Sequence, residues 1–499
     1  MPQSARFDKP KRRLAPWAVD GVRCGMAIDT PARIAILGAG PIGLEAALYA
    51  RFLGYEVVIY ERGQVAEHVR QWGHVRMLAP FSQCCTPLGL AALQAQDPSW
   101  QAPSPDAHLT GHEWVARYLE PLAHSDLVEE HLRLGTTVLA VGKEELLKED
   151  LPCGQERGDF AFRVLSRGPE GTERIERFDG VLDCTGVWAT PRWLGHGGIP
   201  AVGELALADQ IEHRLPDILG RDRVQYAGRH TLLVGAGMAA ATNLVALVAL
   251  ADQVPGTRIT WVTRREGPAG GGPIPVRPDD PWPQRAALAR QANELARQAT
   301  CVEHLPLAMV EEVRLVAPEG PLEVVLSGSA GRTLRVDRIL ANVGFRPDET
   351  LAMELQVAPS PCGWGLRLWP GGPPAWPAPD GASLQGDAGH VASAGNVASA
   401  GDVASEANVA SPEDVGSAVN VASEALSHMQ RDLAGTSAPA LHCWGEVQEM
   451  HYYVLGARSA GRCGDFTLRG GYEQIRRVFA RIGDRADLDL YAGAQRLVR

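Results

Sequence analysis

The chain lacks four features that would each assign it to a class of protein. No stretch reaches the roughly 18 uninterrupted apolar residues of a membrane-spanning helix, and no apolar segment follows the basic N-terminal residues as in a secretory signal. Nine cysteines, an odd number scattered over 499 residues, do not form a disulfide framework. A net charge of −11 argues against a nucleic-acid partner. We therefore expect a cytoplasmic protein with about two to four domains.

The first nucleotide-binding pattern lies in residues 33–62. An apolar run leads into the turn GAGPIG, a helical pattern follows, and a second apolar run ends in Glu61. Gly38 allows the tight turn, Gly40 lets a pyrophosphate approach the backbone, and Gly43 lets the helix pack on the strand. Glu61 stands where a carboxylate accepts ribose hydroxyls. This order of strand, glycine turn, helix and strand predicts a dinucleotide site at a helix N-terminus.

A second pattern of the same kind starts at residue 230. Its turn, GAGMAA, begins with Gly235 and Gly237 and has Ala240 in the third position, a substitution that the fingerprint tolerates. The strand after the helix leads into Arg264 and Arg265 and carries no acid. A guanidinium pairs with a ribose 2′-phosphate that a carboxylate would repel, so this unit is predicted to prefer NADPH. The alternative is a structural strand end with solvated arginines.

Two such units in one chain, one ending in Glu and the other in Arg, indicate two different dinucleotides. The sequence resembles the flavoproteins with two dinucleotide-binding domains, the group that contains thioredoxin reductases and flavin-containing monooxygenases. The strands that lead to Gly186, Gly344 and Gly456 fit the group's pattern, but Gly456-Ala457 replaces the usual Gly-Asp that contacts the ribitol. The resemblance implies FAD on the first unit and hydride delivery from NADPH on the second. The further cofactor contacts that we expect are Arg62, Trp72, Arg76, Gly186 and Gly456.

The predicted fold is α/β, with two Rossmann-like domains and the NADPH domain inserted into the FAD domain. Residues 391–426 form a hexad repeat whose six-residue period makes no helical stripe, which favours a low-complexity surface insertion over a short β-helix. The predicted divisions are an N-terminal extension (1–31), the first part of the FAD domain (32–225), the NADPH domain (226–345), the insertion (346–440) and the C-terminal return to the FAD domain (441–499).

A disulfide reductase is one possible function for a chain of this group, and it needs a redox-active dithiol. The sequence gives little support for such a dithiol. The cysteine motifs of reductases in the group are missing, since residues 226–345 contain Cys301 alone and no C-x-x-x-x-C follows the first unit. The adjacent Cys84 and Cys85 in PFSQCCTPLG remain. Neighbouring Cα atoms lie about 3.8 Å apart, closer than the usual disulfide span, so a bond between them would be strained. A reductase that uses this pair is retained as an alternative.

Aromatic and cationic residues occupy the segment where reductases have their cysteines. Trp72, His74, Arg76 and Phe81 in residues 68–83 could wall a flavin and exclude water; the structural alternative is packing or FAD contact. The favoured function is an FAD- and NADPH-dependent monooxygenase that uses O₂ to hydroxylate a nitrogen or sulfur atom of a small molecule through a flavin hydroperoxide. A flavin-binding redox sensor without turnover also stays open.

No catalytic acid or base is identifiable, and no metal site is expected. Four residues near the C-terminus, His442, Cys443, His451 and Cys463, match no compact zinc spacing. No membrane or nucleic-acid partner is predicted, and formation of a homo-oligomer is left open.

Overall fold

The computed structural model describes residues 28, 30–151, 155–267, 271–276, 280–318, 320–329, 331–359, 366–367, 449–461 and 466–495. The hexad repeat at 391–426 lies outside the described residues, as do most of the predicted N-terminal extension and of the insertion. His442, Cys443 and Cys463 lie outside them as well.

The first glycine turn belongs to a five-stranded sheet whose pairings are all parallel. Its central strand, RIAIL, is apolar throughout because both faces of a parallel sheet are covered. The last strand along the chain pairs with the strand that precedes Gly186, so the C-terminal segment joins this sheet. The spatial order is β18 (Tyr452–Val454), β7 (Gly180–Asp183), β1 (Arg33–Leu37), β2 (Glu56–Tyr60) and β3 (Leu132–Arg133).

The second glycine turn belongs to another parallel sheet of five strands. One edge strand of this sheet comes from residues 211–212, which the predicted bounds assign to the first domain. A two-residue strand carries no periodicity in the sequence, so this pairing was not predictable from a pattern. The order is β11 (Val302–Pro306), β10 (Arg258–Thr263), β9 (His230–Val234), β15 (Arg338–Ala341) and β8 (Ile211–Glu212).

Antiparallel meanders cover one face of each parallel sheet. In β1, Ala35 and Leu37 face the first meander, whereas Ile34 and Ile36 face the helices. This alternation follows from the two-residue repeat of a strand. The first meander is β4 (Thr137–Lys143), β5 (Phe162–Arg167) and β6 (Glu173–Phe178), and the second is β12 (Ala308–Leu315), β13 (Leu322–Gly328) and β14 (Arg332–Val336). A further hairpin joins β16 (Ala358–Pro359) to β17 (Leu366–Arg367).

Helices pack on the other face of each sheet. The described helices of the first unit are α1 (Pro41–Phe52), α2 (Glu67–Gln71), α3 (Pro87–Gln96), α4 (Gly111–Trp114), α5 (Glu120–Ala123), α9 (Leu468–Ile482) and α10 (Leu490–Gln495). Those near the second sheet are α6 (Arg223–Tyr226), α7 (Met238–Ala251) and α8 (Pro283–Gln298). A π-helical turn, Val115–Leu119, joins α4 to α5. In the described part of the chain, no helix combines the length and apolar character needed to cross a bilayer.

Candidate cofactor and active site

The first glycine turn has the geometry that its spacing predicted. Gly38 has a φ of +98°, and a methyl group on it would lie 2.9 Å from the carbonyl oxygen of Cys184. A methyl group on Gly43 would lie 1.8 Å from the carbonyl oxygen of Gly38, so α1 can pack here only with glycine. At Gly40 the space is open within 4 Å, which leaves the backbone accessible to a ligand. The turn therefore fits a dinucleotide diphosphate.

Glu61 is buried directly after β2 and stabilises this turn. Its carboxylate accepts hydrogen bonds from the backbone N–H groups of Ala39 and Gly63, each at 2.9 Å. Each carboxylate oxygen keeps a lone pair with which to accept a ribose hydroxyl. Arg62 next to it is exposed, and its guanidinium lies 3.1 Å from Nε2 of His68.

The second turn repeats this geometry. Gly235 has a φ of +125°, and a methyl group there would lie 2.2 Å from the carbonyl oxygen of Asn342. Gly237 faces open space, and Ala240 is fully buried where the helix meets the sheet. The indole N–H of Trp261 donates to the carbonyl of Gly235 at 2.7 Å and holds the turn. The second turn thus fits a second dinucleotide.

Arg264 and Arg265 follow β10 at the carboxyl edge of the second sheet. Both are exposed, and neither side chain has a hydrogen-bond or ion-pair partner among the described residues. The hydroxyl of Thr263 donates to the carbonyl of Arg265 at 2.9 Å and shapes the bend there. Two unpaired guanidinium groups at this position can donate hydrogen bonds to a phosphate. The preference of this unit for NADPH over NADH stays a prediction.

The C-terminal segment closes over the first turn through Ile42. Gly456 has a φ of +69°, and a methyl group there would lie 3.1 Å from the Ile42 side chain. A methyl group on Gly471 of α9 would lie 2.5 Å from the same side chain. The α9 helix begins at Leu468, and the hydroxyl of Thr467 accepts a hydrogen bond from the N–H of Gly470 and caps the helix. Gly456 and α9 therefore reach the turn expected to hold FAD.

A buried ion pair lies where the usual Gly-Asp is missing. Arg458 lies 2.6 Å from Asp183 of the neighbouring strand β7, and both side chains are almost fully buried. The hydroxyls of Tyr452 and Thr185 donate to the same carboxylate at 2.7 and 2.6 Å. Sequence reasoning missed this network, because its members are separated along the chain and meet only through the β7–β18 pairing.

Three aromatic rings meet where the two units join. Trp72 follows α2, Trp188 follows β7, and Phe345 follows β15. The ring centroids of Trp72 and Trp188 are 6.4 Å apart, and those of Trp188 and Phe345 are 4.8 Å apart. We call these residues the aromatic cluster. Beside Trp188, Gly186 adopts a φ of +71° and faces open space.

The structure separates Arg76 from Trp72, although the sequence grouped them. Arg76 is exposed, and its guanidinium donates to the carbonyl of His108. Its backbone also forms a bridge with Thr110. Trp72 joins the aromatic cluster, whereas Arg76 binds the loop before α4, and a cofactor contact by either residue stays a prediction.

The adjacent cysteines are free thiols in the interior of the first unit. Cys84 is 1% exposed and packs in the core, while Cys85 is partly buried. The pKa of both thiols is raised to about 12, chiefly by burial and, for Cys85, also by the neighbouring Cys84 and Glu45. The hydroxyl of Tyr472 donates to the Cys84 carbonyl at 3.0 Å, which ties this segment to α9.

Glu45 lies on α1 among these groups and was not singled out by any sequence motif. It is 1% exposed, and the hydroxyl of Thr86 donates to its Oε1 at 2.9 Å. Burial raises the pKa of Glu45 to about 7, against smaller lowering effects of Thr86 and Tyr491. An apolar-looking helix therefore holds a carboxyl group that titrates near neutral pH.

Comparisons with known proteins relate the chain to oxidoreductases. No protein-family model matches it. It is similar to flavin-containing monooxygenase FMO GS-OX-like 2 of Arabidopsis thaliana, with 29% identity over 185 residues, which are 33% of this chain and 37% of that protein. Its fold is similar to the bacillithiol disulfide reductases of Bacillus cereus (TM-score 0.55, 14% identity) and Staphylococcus aureus (0.52, 13%). Each alignment covers 91% of this chain, and it covers 98% and 97% of the respective reductase.

These similarities confirm the predicted α/β fold class and the resemblance to FAD- and NAD(P)H-dependent oxidoreductases. At 13–14% identity the two reductase structures establish the fold alone. The curated monooxygenase matches over little more than a third of its length, so its activity does not transfer with the match. The predicted class, an oxidoreductase, agrees with the names of all three proteins.

Proposed function

We propose that this chain is an FAD- and NADPH-dependent monooxygenase that oxidises a nitrogen or sulfur atom of a small molecule. FAD would bind at the first turn, on the open backbone at Gly40 and with its ribose on Glu61. NADPH would bind at the second turn, with Arg264 and Arg265 on its 2′-phosphate. When bound, a reduced flavin supplies the chemistry that activates O₂.

The observation that carries this proposal is the aromatic cluster. Its three rings come from α2 and from the segments after β7 and β15, so they converge at the junction of the two units. Large apolar rings at such a junction exclude water, and a dry site suppresses side reactions of a reactive oxidant. The residues of this chain would therefore hold the substrate and restrict water.

The buried thiols favour oxygenation over disulfide reduction. Thiol–disulfide exchange requires a thiolate that a substrate can reach. Cys84 and Cys85 have pKa values raised to about 12 by burial, so the thiolate fraction is negligible at neutral pH. Both also pack against the hydrophobic core of the first unit. A reductase built on this pair would need a rearrangement that brings a sulfur atom to the surface.

The test uses purified full-length protein loaded with FAD. We expect NADPH oxidation to consume O₂ and to yield an N- or S-oxygenated product from a panel of amines and thioethers. The double variant C84S/C85S should keep this activity. Disulfide-dependent NADPH oxidation that disappears in C84S/C85S would refute the monooxygenase in favour of the reductase. Failure to bind FAD would refute both.

The aromatic cluster can be tested separately. Trp188→Ala should raise the H₂O₂ released per NADPH and lower the yield of oxygenated product, because water gains access to the junction. Trp188→Phe should restore coupling. Trp100, whose indole N–H donates to the Arg117 carbonyl, lies outside the cluster, so W100A is the matched control. Equal leakage from W188A and W100A would remove the cluster from the proposal.

A further inference from the structure

Two parts of the second dinucleotide site are held by side chains of β10. The indole N–H of Trp261 donates to the carbonyl of Gly235 at 2.7 Å, in the turn that fits the diphosphate. The hydroxyl of Thr263 donates to the carbonyl of Arg265 at 2.9 Å, in the bend that carries the two exposed arginines. Trp261 and Thr263 are two residues apart on one strand, so their side chains lie on the same face of the sheet.

His304 on the neighbouring strand β11 contacts both of these side chains. Its Nε2 atom lies 2.9 Å from the hydroxyl oxygen of Thr263. Its ring centroid lies 5.1 Å from that of Trp261, the residue directly opposite it in the pairing of β10 with β11. Trp261 and Thr263 are fully buried, and His304 is half-buried. One imidazole therefore connects the support of the glycine turn to the support of the arginine bend.

The direction of the hydrogen bond between His304 and Thr263 follows from the other partner of the hydroxyl. The single hydroxyl proton of Thr263 is donated to the Arg265 carbonyl, so its oxygen accepts from His304. Burial lowers the pKa of His304, so the ring is neutral at neutral pH and carries its proton on Nε2. A neutral ring does not itself attract a phosphate, and His304 acts on a ligand only through the groups that it holds.

The two supports differ in how much they depend on the imidazole. Trp261 packs in the core of the second unit and makes its own hydrogen bond to Gly235, so the glycine turn keeps its shape without His304. Thr263 depends on His304 for the bond that fixes its hydroxyl, and that hydroxyl holds the bend. A bend that is already ordered presents its guanidinium groups without paying the entropy of ordering them when a phosphate binds.

We propose that His304 is a positioning residue that selects NADPH over NADH. Through Thr263 it fixes the bend that presents the two arginines to the ribose 2′-phosphate. A nicotinamide dinucleotide without that phosphate uses the glycine turn and does not depend on the bend. This role rests on the NADPH binding proposed above and adds to it the residue that orders the arginines.

The test measures binding to the full-length protein by calorimetry, without turnover. The probes are 2′,5′-ADP, which carries the 2′-phosphate, and 5′-AMP, which lacks it. Wild-type protein should bind 2′,5′-ADP about tenfold or more tightly than 5′-AMP, because phosphate and guanidinium form charge-assisted hydrogen bonds. His304→Ala should weaken binding of 2′,5′-ADP about five- to tenfold and leave 5′-AMP unchanged. Unchanged 5′-AMP binding also shows that the variant is folded.

Three more variants separate positioning from a general loss of packing. His304→Gln keeps an N–H donor and should restore most of the affinity for 2′,5′-ADP. Thr263→Val removes the hydroxyl at nearly constant shape and should reproduce the loss, and adding it to H304A should weaken binding no further. His230 provides the matched control H230A, since its Nε2 lies 2.9 Å from the hydroxyl oxygen of Thr260 on the opposite face of β10. This control should bind both probes like the wild type.

The outcomes distinguish the role of His304 from the proposed function. If the wild type prefers 2′,5′-ADP and H304A binds both probes like the wild type, the role of His304 is overturned and NADPH binding stands. Equal losses for both probes in H304A, or no recovery in H304Q, would also overturn the role. If the wild type binds both probes equally, the NADPH preference fails and the role of His304 fails with it.

Discussion

Replacing Glu45 by Gln should stabilise the protein above pH 7 and change little at pH 5. The carboxyl group lies in α1 with 1% of its surface exposed, and Thr86 donates one hydrogen bond to it. Its Oε2 atom is buried without a hydrogen-bond partner among the described residues. Burial raises the pKa of Glu45 from 4.5 to about 7, so the ionised form is the one that the folded protein disfavours.

The size of the effect follows from the two pKa values. Between pH 4.5 and about 7 the folded protein binds a proton at Glu45 that the unfolded chain has lost. The free energy of unfolding therefore falls as pH rises through this window, and above it the loss is about 3 kcal/mol. Tyr118 and Tyr472 beside it have pKa values raised by burial, so they stay neutral and add no slope.

The assay compares melting temperatures of wild type and E45Q from pH 5 to pH 8.5. We expect the difference to grow with pH and to reach about 6 °C or more at the alkaline end. Glu56 is exposed at the start of β2, so E56Q is the matched control and should follow the wild type. Parallel curves for E45Q and wild type would refute the argument, because they would mean that Glu45 ionises in the folded state as it does in the unfolded chain.

Three further predictions address the two dinucleotide sites and the interior. Gly43→Ala should lower the melting temperature and the FAD content together, because the new methyl group would lie 1.8 Å from a backbone oxygen. Gly40→Ala should fold normally, because its methyl group enters open space. It should bind FAD weakly, because that space is where the diphosphate would lie. Arg264→Ala should raise the KM for NADPH about tenfold and leave that for NADH nearly unchanged, since the guanidinium pairs with the 2′-phosphate. Arg157→Leu should cost about 3–5 kcal/mol of stability, because it leaves buried Glu449 without its ion-pair partner at 2.8 Å.

For each of these predictions, a control variant or a specific result would show that the reasoning is wrong. Equal loss of FAD and of thermal stability in G40A and G43A would mean that Gly40 is structural. A proportional change in KM for both nicotinamide cofactors would remove Arg264 from 2′-phosphate recognition, with R229A as the control. For the ion pair, exposed Arg163 on β5 provides R163L, and a melting temperature for R157L equal to that of R163L would contradict the buried-charge argument.

The local parts of the candidate site were predictable because each is encoded in a few consecutive residues. Gly38, Gly40 and Gly43 must be close in sequence, since they form one turn and the first turn of one helix. The same holds for Gly235 and Gly237, and α7 begins directly after Gly237 and ends at Ala251. A pattern of this kind needs no knowledge of the rest of the chain.

The long-range parts were not predictable in this way. Arg157 meets Glu449 across 292 positions of sequence, and the same carboxylate accepts from the N–H of Gln356 at 3.0 Å. The Glu449 carboxylate thus joins residue 157 of the first unit, residue 356 within the predicted insertion and residue 449 after it. The Asp183–Arg458 pair is of the same kind. An isolated charged residue in a sequence gives no sign of the partner that it meets after folding.

By itself, the sequence determined the two glycine turns and the parallel α/β sheets around them, because short-range sterics and apolar runs specify both. Only the tertiary structure decided which titratable side chains are buried and how burial shifts their pKa values. Burial in the core, and not any motif, raises the pKa of Cys84 and Cys85 to about 12 and that of Glu45 to about 7. Likewise, the aromatic cluster exists because segments distant in sequence meet where the two units join, and proximity there acts on side chains that the sequence lists far apart.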